Sequence, residues 1–284
     1  MPMELYEDAM GDPRNARALA VASDLAYLPQ AEGAAAFREH LNLEATLFSV
    51  GNTQAYVCQN DNHIVVAFRG TESPTTIDGL KDWLLTNAAN LLIVPEGPMG
   101  TYLAAAGVGA RFHQGFVTAI TDIWDPVLQA VQAERKKSDR PVWVTGHSLG
   151  GALAMLAAWL FNRNFVPVHQ IYTYGAPMIG NDEAATAFNK AFGAKIYRYV
   201  NTIDPIPKLP AVSLAANDYA HCDKEIGLGA AAAAVSNLAF FGELCKGVAS
   251  GVLQATLIDD IWRGVMGRLD AHSMTSYRSH IDKG

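Results

Sequence analysis

Cysteine, charge and long apolar runs are all scarce in this 284-residue chain, and each shortage removes a class of protein. The three cysteines, Cys58, Cys222 and Cys245, leave at least one thiol unpaired and lack metal-ligand spacing, so neither a disulfide framework nor a cysteine metal site is expected. Only 17% of residues are charged, and 28 acidic against 21 basic residues give a net charge of −7. With its lysines and arginines scattered, the chain is not expected to bind nucleic acid or to be drawn electrostatically to anionic membranes. Its longest basic run, Arg135–Lys136–Lys137, closes a helical pattern and reads as a solvated helix end. The first twenty residues hold no basic segment followed by an apolar one, so no secretory signal is expected, which leaves a cytoplasmic protein or one exported by another route.

Long membrane-spanning runs are missing too. Ile226–Ile258 is rich in alanine and glycine, but these are weakly apolar and Glu243 and Lys246 interrupt them, short of the ~20 strongly apolar residues a span needs. Buried helices or a cap over a site is the first reading of that stretch, and a lipid-touching surface the second. What the chain does have is core material. Half of its residues are hydrophobic, enough for one large α/β domain over residues 1–284.

The most informative stretch is Pro141–Leu160. Val142–Trp143–Val144–Thr145 is β-branched and aromatic, as a buried strand requires, and from Gly150 the chain is Ala/Leu-rich, as a helix against a sheet requires. Between them lies Gly146–His147–Ser148–Leu149–Gly150, a G-x-S-x-G elbow. Small residues two before and two after the serine let strand and helix approach, while the serine occupies a strained turn at a helix N-terminus, where backbone N–H groups face any oxyanion formed.

The rest of the chain supplies candidate partners. A helix is expected over Asn15–Leu28, then strands at Leu47–Val50, Gln54–Cys58 and His63–Arg69 forming an antiparallel edge. The third strand ends in Arg69–Gly70–Thr71, and Thr71 is the candidate for a second oxyanion donor beside the Leu149 N–H; its plainer reading is a threonine in a turn. Glu72–Gly109 reads mostly as surface loop with a helical pattern at Leu80–Asn90, whose apolar side chains would suit a lid or an ordinary packed helix. A helix at Val117–Val131 tolerates Pro126. After the elbow come a strand at Gln170–Tyr174, a helix at Asp182–Phe192 and a strand at Lys195–Val200, a β-α-β alternation that implies a parallel sheet with ligands at its C-terminal edge. Asp204, in the proline-stiffened loop after Val200, is the candidate acid; an Asp-Pro turn starter is the alternative. Among His221, His272 and His280, His272 is favoured as base, since a late loop would carry its ring back to Ser148; His113 and His147 read as structural.

Five ordered stretches together resemble the class 3 (fungal-type) lipase family of the α/β-hydrolase fold: Phe68–Thr71, His113–Phe116, Gly146–Gly151, Tyr174–Pro177, and Val200–Asn201 leading to Asp204. The resemblance implies a mostly parallel central sheet with helices on both faces and lid or cap helices over the site. It implies Ser148 as nucleophile, Asp204 as acid, His272 as base, Thr71 and Leu149 as oxyanion hole, and neither metal nor cofactor. Asp82–Trp83–Leu84 is similar to a family segment in which the aspartate would orient the Thr71 hydroxyl; a helix cap is the plainer reading of Asp82. The implied activity is hydrolysis of lipid esters at an oil–water or membrane interface, first as a triacylglycerol lipase. Phospholipase A1 or soluble-ester esterase activity on the same scaffold is the alternative, and a catalytically silent binding module the distant one. Departures from the family are a longer Ser73–Lys81 segment, the missing disulfides of its secreted fungal members and the Ala-rich insert, which leave two lid candidates, 72–100 and 211–265.

Overall fold

The computed structural model describes residues 1–71, 92–208, 219–229, 262–263 and 266–283. Helix α1 (Pro13–Leu25) starts where Pro13 fits the first turn and the Asp12 carboxylate accepts from the Arg14 N–H at 2.8 Å. Helix α2 (Gln30–Leu41), which the sequence reading does not anticipate, buries only Gly33, Phe37 and Leu41. So narrow an apolar face leaves a faint periodic signal. Strands β1 (Glu44–Val50), β2 (Thr53–Gln59) and β3 (Ile64–Phe68) form the expected antiparallel edge.

From Leu92 the expected surface loop is replaced by regular structure: β4 (Leu92–Ile93), helix α3 (Gly97–Ala104) and β5 (Phe112–His113). Met99 and Leu103 of α3 are buried in the core, and the Tyr102 carbonyl accepts from Trp159 Nε1 at 2.9 Å, so residues 97–104 are packed against the body of the domain. Helix α4 (Gln114–Lys137) runs through Pro126 unbroken. Next come β6 (Val142–His147), α5 (Leu149–Arg163), β7 (Val168–Tyr174), β8 (Gly180–Asn181), α6 (Asp182–Phe192) and β9 (Ile196–Asn201). The described chain closes with β10 (Tyr219–Ala220), β11 (Glu225–Leu228), α7 (Leu269–His272) and α8 (Met274–Ile281). Strand β11 corrects the reading of Ile226–Leu228 as the start of an alanine-rich helical cap, because these residues pair in parallel with β9 and extend the sheet. Residues 230–258 of that stretch, Cys245 among them, the helical pattern at Leu80–Asn90 and Asp82 lie outside the described residues.

Among the described residues the main sheet has the order β1-β2-β3-β6-β7-β9-β11, parallel from β3 onward. A smaller sheet, β10-β8-β5-β4, flanks it. Alternation along the strands feeds two cores. Ile64, Val66, Val144 and Ile171 pack toward α4 and α5, while Val65, Trp143, Tyr172 and Tyr174 pack toward α1 and α8. Fully burying one such large apolar side chain contributes about 1.5–3 kcal/mol, so both faces must be covered. Ala152, Ala154, Ala157 and Ala158 of α5 are all buried in the first of these cores, where their short side chains allow close packing. The fold is that of an α/β-hydrolase, and the C-terminal ends of β3, β6, β7 and β9 lie along one edge. No described helix is long and apolar enough to cross a membrane.

Candidate active site

Ser148 sits between β6 and α5 with φ +57° and ψ −130°, a conformation that costs a non-glycine residue on the order of 1–3 kcal/mol. The turn is braced on both sides. Its N–H donates to the Tyr174 carbonyl at 2.9 Å, and its carbonyl accepts from Gly151 N at 2.9 Å. The two flanking glycines are required sterically: a Cβ at Gly146 would lie 2.2 Å from the Gly150 carbonyl oxygen, and one at Gly150 would lie 2.2 Å from that of Phe68. The β3 end therefore presses against the elbow. A Cβ on Gly70 would come within 3.2 Å of Ser148 Cβ, which puts Thr71, half-buried, one residue from the serine's side. Leu149 opens the first turn of α5, where its N–H is among those a helix leaves unbonded to its own carbonyls.

The proline-stiffened loop after β9 buries Asp204 completely, yet it finds three donors. Its Oδ1 accepts from Ile206 N at 2.9 Å. Its Oδ2 receives His272 Nδ1 at 2.7 Å and the Tyr277 hydroxyl at 2.6 Å. A carboxyl group so satisfied tolerates burial, and as the acceptor it fixes the proton of His272 on Nδ1. His272 Nε2 is thereby left as the basic nitrogen; it is buried and has no hydrogen-bond partner among the described residues. Gly175 covers the pair, since a Cβ there would lie 3.0 Å from both Asp204 Oδ2 and His272 Nδ1, and its φ of +62° suits glycine.

His147 supports the same ring from below. Its Nε2 lies 2.6 Å from the His272 carbonyl oxygen and its Nδ1 2.8 Å from the Tyr27 hydroxyl. Because a carbonyl only accepts, Nε2 carries the proton and Nδ1 accepts from tyrosine. Burial, and next the neighbouring His272, push the His147 pKa well below its usual value and keep it neutral. Among the described residues no cluster of three or more His, Cys, Asp or Glu side chains could hold a metal ion.

Of the residues singled out in the sequence, Asp204 and His272 meet directly, and Ser148, Thr71 and Leu149 gather at the neighbouring strand ends. His272 ends the short helix α7 rather than lying in a loop. His221 instead hydrogen-bonds the Pro207 carbonyl and His280 the Ser276 carbonyl, and His113 caps α4 through Phe116 N. Sequence reasoning gave no role to Tyr277 and Tyr27, and named Asn201 only within a motif. Tyr277 approaches the site from α8 and Tyr27 from the turn after α1, and no local pattern marks such contacts.

A family model, Lipase (class 3), matches residues 65–214, just over half of the chain. The protein belongs to the class 3 lipase family. Over 175 residues it is 32% identical to a chloroplastic phospholipase A(1), DAD1, of Arabidopsis thaliana, covering 56% of this chain and 38% of the relative. Over 149 residues it is 32% identical to the secreted mono- and diacylglycerol lipase MDL3 of Malassezia globosa, covering 52% and 46%. The chain thus spans less than half the length of these curated relatives. Among solved structures, the triacylglyceride lipase of Rhizomucor miehei superposes with a TM-score of 0.59 at 23% identity, over 78% of this chain and 82% of that one, a likeness of fold.

Proposed function

We propose that the protein is a serine carboxylester hydrolase that releases fatty acids from lipid esters, in the first place a triacylglycerol lipase. The observation that carries this reading is the buried Asp204–His272 hydrogen bond of 2.7 Å at the same sheet edge as the strained Ser148. In this mechanism Ser148 Oγ attacks the acyl carbonyl while His272 Nε2 takes its proton. Asp204 holds the imidazole tautomer and stabilises the imidazolium. The Thr71 and Leu149 N–H groups donate hydrogen bonds to the developing oxyanion, His272 returns the proton to the departing alcohol, and water repeats the sequence on the acyl-enzyme.

A second reading, phospholipase A1 activity, is favoured by the likeness to the Arabidopsis phospholipase A(1). Of the two lid candidates, 72–100 and 211–265, the parts that form α3, β10 and β11 are packed into the domain, so a lid role is proposed only for the rest of each, together with catalysis at a lipid interface. Rates on dissolved short-chain esters, emulsified triglyceride and phospholipid vesicles separate the readings. A triacylglycerol lipase turns over the emulsion faster than the vesicles, with a rise above substrate solubility. Preference for vesicles selects phospholipase A1, and failure on all three refutes both.

A further inference from the structure

Tyr277 is the side chain that the triad scheme leaves without a role. It lies on α8, five residues past His272, is fully buried, and donates to Asp204 Oδ2 at 2.6 Å, the oxygen that also holds His272 Nδ1. Its own oxygen accepts from Asn201 N at 3.1 Å. Asn201, the last residue of β9, also donates from Nδ2 to the Ala271 carbonyl at 2.9 Å and to Ser276 Oγ at 3.2 Å. One asparagine thus ties the strand bearing the acid to the residue before the base and to the helix bearing the tyrosine.

We propose that Tyr277 is a positioning residue for the hydrolytic reaction, holding Asp204 Oδ2 against His272 Nδ1 and setting how strongly that carboxylate draws the imidazolium. The proposal rests on the reading of Ser148, Asp204 and His272 as the catalytic set. A carboxylate oxygen shared between two donors has less charge to offer either one. The phenol tempers Asp204, so the imidazolium formed on proton transfer is stabilised less than a lone carboxylate would stabilise it. Losing the donor should make the histidine harder to deprotonate and move the acid limb of the activity profile upward.

The neighbouring charges do not duplicate this contact. From β6, the His147 ring stands 4.6 Å from that of His272, centroid to centroid, and is held neutral by burial with Tyr27 behind it. Lys208, half-buried in the turn after Asp204, has its pKa lowered by burial against the opposing pull of Glu225 of β11 and then of Asp204. On the tail itself Asp270 is exposed, Arg278 pairs with Asp24 and His280 bonds the Ser276 carbonyl. Tyr277 stays protonated throughout the working range, because burial, and after it the Asp204 carboxylate, push its pKa well above the ordinary phenol value.

The test is the pH dependence of kcat/KM on a dissolved ester for the parent chain and Tyr277→Phe. We expect kcat to fall about tenfold with KM little changed, and the acid limb to move up by roughly half to one pH unit. An acid limb at the parent's position, whatever the change in rate or thermal stability, would overturn the proposal. Should Tyr277→Phe fail to fold, 3-fluorotyrosine placed at 277 decides: its stronger donor should move the limb downward, and an unmoved limb refutes the role. Ser148→Ala is assayed in parallel. If it retains the parent's hydrolysis, the catalytic reading itself falls; if it is inactive while the acid limb stays fixed, only the role of Tyr277 does.

Discussion

The His147 ring nitrogen Nε2 lies 2.6 Å from the carbonyl oxygen of His272, so the residue just before the elbow serine holds the backbone of the histidine proposed as its base. Two segments 125 residues apart are joined by that one bond. Replacing His147 with phenylalanine removes the donor to the buried His272 carbonyl and the acceptor of the Tyr27 hydroxyl. The expected result is a loss of about 1–3 kcal/mol in urea unfolding together with a fall of about tenfold or more in kcat/KM. Parent-like values of both would refute the coupling.

The elbow makes a paired prediction about backbone conformation. Ser148→Gly and Ser148→Ala should both be inactive, but the glycine variant should be the more stable by roughly 1 kcal/mol, since only glycine takes φ +57° without strain. Gly150→Ala should instead destabilise severely, because its Cβ would lie 2.2 Å from the backbone oxygen of Phe68. Thermal melts of the purified variants check the order Ser148→Gly above Ser148→Ala, with Gly150→Ala melting lowest or not folding. Any reversal contradicts the steric account.

Acid sensitivity should appear before the carboxylates titrate. Burial lowers the pKa of His147, His63 and His169, and holds His221, beside Arg198, down to about 3. In the unfolded chain these imidazoles titrate near ~6.5, so on acidification the unfolded state takes up protons first. Stability then rises with pH across this window and falls as pH drops below ~6.5, by up to about 1.4 kcal/mol per pH unit for each of the buried His147 and His221 and by less for the half-exposed, solvent-screened His63 and His169. The lowered carboxylates Asp12, Glu44 and Glu134 act only at lower pH. A urea midpoint clearly lower at pH 5.5 than at pH 7.5 is expected, and equal midpoints would contradict it.

Much of the frame is legible in the sequence because each signal is local. The elbow glycines mark a strand–turn–helix junction, and Pro205, Pro207 and the end of β9 mark the rigid loop that carries Asp204. Alternation and punctuation locate the first three strands to within a few residues. Harder to read are short elements defined by their partners. Glu225–Leu228 becomes a strand only because β9 offers it an edge, and α3 is helical with Met99 and Leu103 buried and its Tyr102 carbonyl held by Trp159 of α5. The contacts around the acid are of the same kind. Tyr277 and Tyr27 reach the site through the packing of α8 and of the turn after α1, distances of 73 and 120 residues from the groups they bond. Periodicity says which face of a helix is apolar, but not which buried tyrosine will meet a carboxylate.

Whether Ser148 is the nucleophile is tested most directly by treating the protein with a fluorophosphonate ester, mapping the adduct by peptide mass, and assaying Ser148→Ala on the same ester substrate. A single phosphonyl group on Ser148, no labelling of the alanine variant and a loss of hydrolysis on the order of a thousandfold or more are predicted. An adduct on another residue, or Ser148→Ala hydrolysing within tenfold of the parent, would contradict the account.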